Sequence, residues 1–291
     1  MWRFREFFLG IKGMKIGIVG LGLIGGSLAI AFRGQGLDVL GVSRKGATCE
    51  TALAKGIVNQ ASTNMDLLRD ADVVFLCTPI KVILPTAQAV IPHLKSTAIL
   101  TDVASVKGEI VQAIAPLWPN FIGGHPMAGT AEQGIDAAIP GLFIDAPYVL
   151  TPTATTSPDA INILQDLIQL LQSRFYCCDP AIHDQAVAWI SHLPVYVSAS
   201  LIAACGAELN PEVLQMAKAL ASSGFRDTSR VGGGNPELGL MMAQGNKQAL
   251  LQSLTGYRQQ LDQVIDSIQT ENWKAIAHFL ETTQRQRPDF L

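Results

Sequence analysis

The segment Gly123-Gly124-His125-Pro126-Met127-Ala128-Gly129 sets a histidine between two glycines and a proline at the end of an apolar run. An imidazole titrates near neutrality, so His125 is a candidate general base. Its neighbours imply an irregular backbone at a ligand edge. A structural histidine would fit the same position. A second segment, Thr101-Asp102-Val103-Ala104-Ser105-Val106-Lys107-Gly108, ends another apolar run. Its Ser105 hydroxyl would either meet a ligand or cap the helix whose pattern begins there. Five cysteines form no C-x-x-C or zinc spacing. Reduced thiols in a cytosolic protein are therefore expected, with no metal.

Both segments need something to act upon, and a third supplies it. Lys15-Ile16-Gly17-Ile18-Val19 reads as a buried strand. It turns through Gly20-x-Gly22-x-x-Gly25 into a helix beginning near Leu23 and Ile24. Gly20 permits the tight turn, Gly22 lets a pyrophosphate approach the backbone, and Gly25 lets helix and strand pack closely. The helix N-terminus presents free N–H groups to the phosphates. Strand, turn and helix in this order define a dinucleotide site.

The second strand ends at Val42, followed by Ser43-Arg44-Lys45, and Ser43 lies 18 residues after Gly25. An acidic residue near this point would bind the ribose hydroxyls of NAD and repel a 2′-phosphate. Here a small hydroxyl precedes two cations, and Arg44 offers a planar donor fork to a phosphate. The expected cofactor is NADP. Thr78 and Pro79, after the strand Val73–Cys77, should border it, since ligands in such sheets lie beyond the carboxyl ends of strands.

These segments require a scaffold that brings strand ends together. Further strand-like runs are Asp38–Val42, Ala98–Thr101, Phe121–Gly124, Tyr148–Thr151 and Arg174–Cys178. Helical patterns at Leu23–Arg33, Ala47–Ala54, Lys81–Ile91, Ser105–Ala115 and Ala160–Leu171 separate them. Such alternation implies parallel pairing with right-handed crossovers. From Asp179-Pro180 onward only helices are expected, at Ala181–Cys205, Pro211–Ser222, Asn235–Gln244, Lys247–Ile268 and Asn272–Glu281. Pro194 should kink the first of these or free a carbonyl. The fold class is α/β: a Rossmann-type doubly wound sheet followed by an all-helical C-terminal domain. The expected division is an extension at 1–13, a dinucleotide-binding domain at 14–178, and a helical substrate and dimerisation domain at 179–291.

Composition narrows the function classes. The 291 residues are 48% hydrophobic and 15% charged, which permits a sizeable core, and the net charge of −3 argues against a nucleic-acid partner. No apolar run is seen to reach the ~18–20 residues of a membrane span. Residues 1–13, basic and aromatic, lack the apolar region and cleavage site of a signal peptide and read as a dispensable extension.

Taken together, the glycine-rich turn, Asp102-Val103-Ala104-Ser105-Val106-Lys107, Gly124-His125-Pro126-Met127-Ala128-Gly129, Ser191-His192-Leu193-Pro194 and Gly224-Phe225-Arg226-Asp227-Thr228-Ser229-Arg230 resemble the prephenate/arogenate dehydrogenase family of tyrosine biosynthesis. The compact size resembles its NADP-dependent, arogenate-using members of cyanobacterial type. The resemblance implies oxidative decarboxylation of a cyclohexadienol, with hydride leaving the hydroxyl-bearing carbon, CO2 leaving the opposite ring carbon, and aromatisation driving the reaction. It implies that His125 accepts the hydroxyl proton and that Ser105 bonds the same hydroxyl. Arg230 would bind substrate carboxylate, and Ser191 would line the pocket. A homodimer through the helical domain is the family expectation. Arg226 and Asp227 are read as a structural ion pair, and His192 as structural.

One position departs from the pattern. Many prephenate-using relatives carry a second histidine after Ser191-His192-Leu193-Pro194; this chain has Val195. That favours arogenate, whose side-chain ammonium Glu132 or Gln133 would approach. The alternatives are a prephenate dehydrogenase on the same scaffold, a hydroxyacid dehydrogenase or imine reductase with a helical-domain lysine, for which Lys218 makes no case, and a non-catalytic NADP sensor.

Overall fold

The computed structural model describes residues 11–130 and 132–291. Residues 1–10 of the expected extension therefore lie outside the described residues, while Ile11 is buried in the same apolar cluster as Ile16 and Phe32. Eight strands form one sheet: β1 (Lys15–Val19), β2 (Asp38–Val42), β3 (Gln60–Ser62), β4 (Val73–Leu76), β5 (Ile99–Asp102), β6 (Phe121–Pro126), β7 (Pro147–Thr151) and β8 (Arg174–Cys177). Their order is β3-β2-β1-β4-β5-β6-β7-β8. The crossovers include α1 (Leu23–Gly34), α2 (Gly46–Ala54), α3 (Ile80–Val90), α4 (Gly108–Ile114) and α5 (Pro158–Leu170).

Period-two alternation sends apolar side chains to both faces of this sheet. Ile16, Ile18, Val39 and Phe75 pack on one face with Leu28 and Phe32 of α1 and Leu164 of α5. Val19, Leu40, Val74 and Leu76 pack on the other with Ile83 of α3 and Val111 of α4. The chain leaves β1 toward β2 and returns through β4 on the other side, so the switch point lies between β1 and β4. The glycine-rich turn opens there.

Three expectations about the sheet are corrected. Pairing is parallel from β3 to β6, but β7 runs antiparallel to β6, and β8 is parallel to β7. Among the described residues the connection from β6 to β7 contains only a 3₁₀ turn at Ile135–Ala137, with no helical crossover to return the chain to the parallel direction. β3 is an additional edge strand whose Gln-Ala-Ser sequence carries no apolar signal. β6 continues through His125 and Pro126, so His125 sits on regular, buried strand paired with Val149, not on an irregular loop. In addition, α4 begins at Gly108, which leaves Ser105 in the preceding loop, not at an N-cap.

The helical domain comprises α6 (Pro180–Val187), α7 (Leu193–Gly206), α8 (Pro211–Leu220), α9 (Ser223–Ser229), α10 (Pro236–Gly245), α11 (Lys247–Gln269) and α12 (Trp273–Gln286). The single helix expected over 181–205 is interrupted by a π turn at Ala188–His192. The turn accommodates Pro194, which has no N–H to give to the carbonyl four residues back. α9 and a 3₁₀ turn at Arg230–Gly233 were not anticipated, because Ser, Gly, Asp and Thr dominate there. Counted as one helix, Pro180–Gly206 spans 27 residues and is long and apolar enough to cross a membrane by length and composition, contrary to the reading above. Its buried side chains include His183, Asp184 and His192.

One ion pair ties β5 to β6. Lys107 and Asp102 have no exposed side-chain surface, and the ammonium contacts Asp102 Oδ2 directly. It also donates to the Gly124 carbonyl at 2.7 Å. Asp102 accepts from the backbone N–H of Ala104 at 2.9 Å and of Gly124 at 3.2 Å. Burial lowers the Lys107 pKa, and the carboxylate opposes that shift. Breaking one partner of a buried pair leaves an uncompensated charge and costs about 3–5 kcal/mol. Lys107→Met is expected to lower the unfolding free energy by about that amount, measured by urea denaturation at pH 7. A loss below about 1 kcal/mol would mean that the pair behaves as a solvated one.

Candidate active site

The glycine-rich turn has the form that a pyrophosphate requires. Gly20 has φ +102° and donates its N–H to the Val42 carbonyl at 2.8 Å, placing the end of β2 beside the turn. A Cβ at Gly20 would stand 2.7 Å from the Cys77 carbonyl oxygen. A Cβ at Gly25 would collide with the Gly20 carbonyl oxygen. At Gly22, the N-cap of α1, a Cβ would meet nothing within 4 Å. Gly20 and Gly25 are thus demanded by the fold, whereas Gly22 faces open space beside the free N–H groups of Leu23 and Ile24.

The neighbouring strand ends join this turn. The Gly20 turn packs on Cys77 and the Thr78 backbone; the Thr78 hydroxyl lies 3.4 Å from that of Thr86, and Pro79 stands at the N-terminal boundary of α3 without a capping hydrogen bond. At the end of β2, Ser43 is half-buried, with Arg44 and Lys45 exposed beside it. Lys45 is the N-cap of α2, so two cations and a helix N-terminus adjoin one another.

The proton-transfer candidates gather at the ends of β5 and β6. Ser105 is half-buried in the strap between Asp102 and Lys107, which the ion pair closes onto Gly124, the residue before His125. His125 is 7% exposed. Its Nδ1 lies 2.8 Å from Nε2 of His183, with the two rings edge to face at 5.0 Å. Nδ1 of His183 lies 2.8 Å from Oδ1 of Asp184. The two Asp184 oxygens also accept the backbone N–H groups of Lys107 at 2.8 Å and Gly108 at 2.7 Å. Burial drives the His125 pKa well below 6.5, with His183, Lys107 and His192 adding to the shift. The ring is therefore neutral and ready to accept a proton at pH 7.

The helical domain brings the remaining candidates. Ser191 is half-buried within the π turn. His192 is buried; its Nδ1 lies 3.2 Å from the Asn246 amide nitrogen, which donates to the Asp184 carbonyl at 2.7 Å. Burial lowers its pKa to about 4. Arg230 opens the 3₁₀ turn, with its side chain exposed and in no ion pair among the described residues. Ser198 holds that turn from both sides, donating to the Thr228 carbonyl at 2.9 Å and accepting the Gly232 N–H at 2.8 Å. Gly232 lies so close to the α7 backbone that a Cβ has no room. Arg226 and Asp227 form the expected ion pair at 3.1 Å, largely solvent-exposed. Glu132 and Gln133 are exposed beyond β6.

From sequence alone, His183, Asp184, Asn246, Ser198 and Lys107 have no assigned role. The adjacent His183-Asp184 pair, one turn into the first helix after Asp179-Pro180, was the available signal.

Comparison with known proteins completes the picture. Residues 28–177 match the family model of the prephenate dehydrogenase nucleotide-binding domain, and residues 179–282 match that of the prephenate dehydrogenase dimerization domain. The cyclohexadienyl dehydrogenase of Zymomonas mobilis is 31% identical over 278 residues, 94% of each chain. The prephenate dehydrogenase of Bacillus subtilis is 28% identical over 277 residues, 93% of this chain and 74% of that one. The crystal structure of Synechocystis arogenate dehydrogenase superposes with a TM-score of 0.91 and 55% identity, covering 96% of this chain and all of that one. That of prephenate dehydrogenase from A. aeolicus, in complex with hydroxyphenyl propionate and NAD+, gives 0.88 and 25%, covering 96% and 98%. The fold is that of a dehydrogenase that uses a pyridine nucleotide. The chain belongs to the prephenate/arogenate dehydrogenase family.

The glycines of the turn can be separated experimentally. Gly20→Ala forces a Cβ onto a positive-φ backbone and should lower stability by about 1–3 kcal/mol. Gly22→Ala should leave the urea midpoint unchanged yet weaken nucleotide binding in titration calorimetry. Unchanged affinity in the Gly22 variant would place the pyrophosphate elsewhere.

Proposed function

We propose that the protein is an NADP-dependent arogenate dehydrogenase, converting arogenate to tyrosine with release of CO2. The observation that carries the chemistry is the neutral, buried His125 at the end of β6, held beside the Ser105 strap. The likeness to the Synechocystis arogenate dehydrogenase structure supports the substrate. So does Val195, where many prephenate-using relatives carry a histidine. Prephenate dehydrogenase is the second reading, favoured by the names of the curated relatives.

Each residue has a task in this reading. The Gly20, Gly22 and Gly25 turn and the α1 N-terminus, at Leu23 and Ile24, hold the pyrophosphate. Ser43, Arg44, Lys45 and the α2 N-terminus receive the 2′-phosphate, and Thr78 and Pro79 border the nucleotide. When bound, the nicotinamide supplies the hydride acceptor. His125 takes the proton of the ring hydroxyl, and Ser105 hydrogen-bonds the same oxygen. Departure of CO2 returns electrons to that oxygen, and His125 gives the proton back, so the phenol forms with no net proton change. Arg230 binds a substrate carboxylate through its donor fork, and Ser191 lines the pocket.

The division at 178/179 then leaves the nucleotide, His125 and Ser105 on one side and places Ser191 and Arg230 on the other. A homodimer through the helical domain fits its surface. No residue of α8 is buried, and Leu209 and Leu220 are 94% and 72% exposed. An isolated chain would leave these side chains in water.

Steady-state rates with arogenate and prephenate, each with NADP and NAD, test the assignment. Arogenate with NADP should give the highest kcat/KM, and faster turnover of prephenate with NAD would overturn both choices. His125→Asn should bind NADP normally and lose about 10²–10⁴-fold in kcat; full activity would refute the base. Protonation removes the base, and its pKa is depressed. The rate should therefore hold its plateau as pH falls past 6.5 and decline only at lower pH.

A further inference from the structure

Which ring nitrogen of His125 carries its proton follows from the groups around it. Asp184 receives backbone N–H groups on both oxygens, so it is an acceptor toward His183 as well. A neutral His183 then carries its proton on Nδ1, which leaves Nε2 as a lone pair. Nδ1 of His125 lies 2.8 Å from that lone pair and must donate to it. The remaining nitrogen of His125, Nε2, is left unprotonated.

We propose that His183 and Asp184 are positioning residues that fix His125 in the tautomer whose Nε2 lone pair takes the substrate hydroxyl proton. The inference rests on the base role assigned to His125 above. An imidazole in water favours the opposite tautomer, with the proton on Nε2. In that form the lone pair at Nδ1 would face His183, and no acceptor would remain for substrate. In the proton transfer the O–H bond breaks as the Nε2–H bond forms, and the positive ring donates from Nδ1 to His183, which Asp184 backs. Return of the proton to the phenol oxygen restores the starting arrangement.

The pair also belongs to the other half of the molecule. His183 and Asp184 lie on α6, while His125, Lys107 and Gly108 lie on the nucleotide-binding side. Asp184 takes the place of a side-chain cap for α4, whose own N-cap, Lys107, supplies none. Asn246, preceding α11, holds the Asp184 backbone carbonyl. The correct tautomer is therefore available only with the helical domain seated on α4.

Nitrogen-15 NMR of histidine-labelled protein without substrate reads this directly. The five histidines are assigned from the spectra of single variants. In the wild type, His125 should show a protonated Nδ1 and a bare Nε2; a protonated Nε2 would overturn the proposal without any variant being made. His183→Leu offers no acceptor, so His125 should switch to the Nε2-protonated form. Its kcat should fall about 10²-fold or more, with NADP affinity and the KM for arogenate little changed. His183→Gln can accept from His125 and donate to Asp184, and should restore both the tautomer and most of kcat. Full kcat in the leucine variant, or no rescue by glutamine, would refute the positioning role. Failure of the base assignment would be seen separately, as full activity in His125→Asn.

Discussion

The buried contact between Lys107 and Asp102 is the constraint on which the rest of the site depends. Two opposite charges without solvent need further hydrogen bonds to offset the hydration they lose. Here the carboxylate collects two backbone N–H groups, and the ammonium collects the Gly124 carbonyl. Satisfying those demands closes the loop after β5 onto β6. Ser105 lies inside the closed loop and His125 one residue beyond its far anchor. Local electrostatics therefore sets the spacing between two strand ends that lie some twenty residues apart in sequence.

The second requirement is a seated helical domain. Asp184 is shared between the N-terminus of α4 and the imidazole of His183, and Asn246 fixes its backbone. Val106 packs against the end of α10 at Gly245, on the same loop that carries Ser105. The loop after β5 is thus held from below by the sheet and from above by the helices.

The doubly wound core was legible because its signals are local and redundant. β1, the glycine-rich turn and α1 follow one another, and the buried strands are short apolar runs. β3 escaped notice because an edge strand of Gln-Ala-Ser needs no apolar face. The reversal of β7 escaped notice because direction depends on what connects two strands, and the described residues between β6 and β7 contain no crossover helix. His125, Ser105 and the cofactor segments were singled out from residue type and position at strand ends. His183, Asp184 and Ser198 were not, because inside helical runs a histidine, an aspartate or a serine looks like surface. Their meaning arises only when another element delivers the partner: the α4 N-terminus for Asp184, His125 for His183, and the chain on either side of Arg230 for Ser198.

The π turn at Ala188–His192 has a consequence of its own. One extra residue in the winding rotates everything after it by roughly 100° about the helix axis. Before the turn, His183, Asp184 and Val187 are buried; after it, Ser198 grips the segment bearing Arg230. A regular helix through the same residues would carry Ser198 to another face and swing the gripped segment with it. In this stretch, chain length works as an angular setting. Replacing side chains alters what the helix touches, but inserting or deleting a single residue would change where the second half of the molecule is aimed.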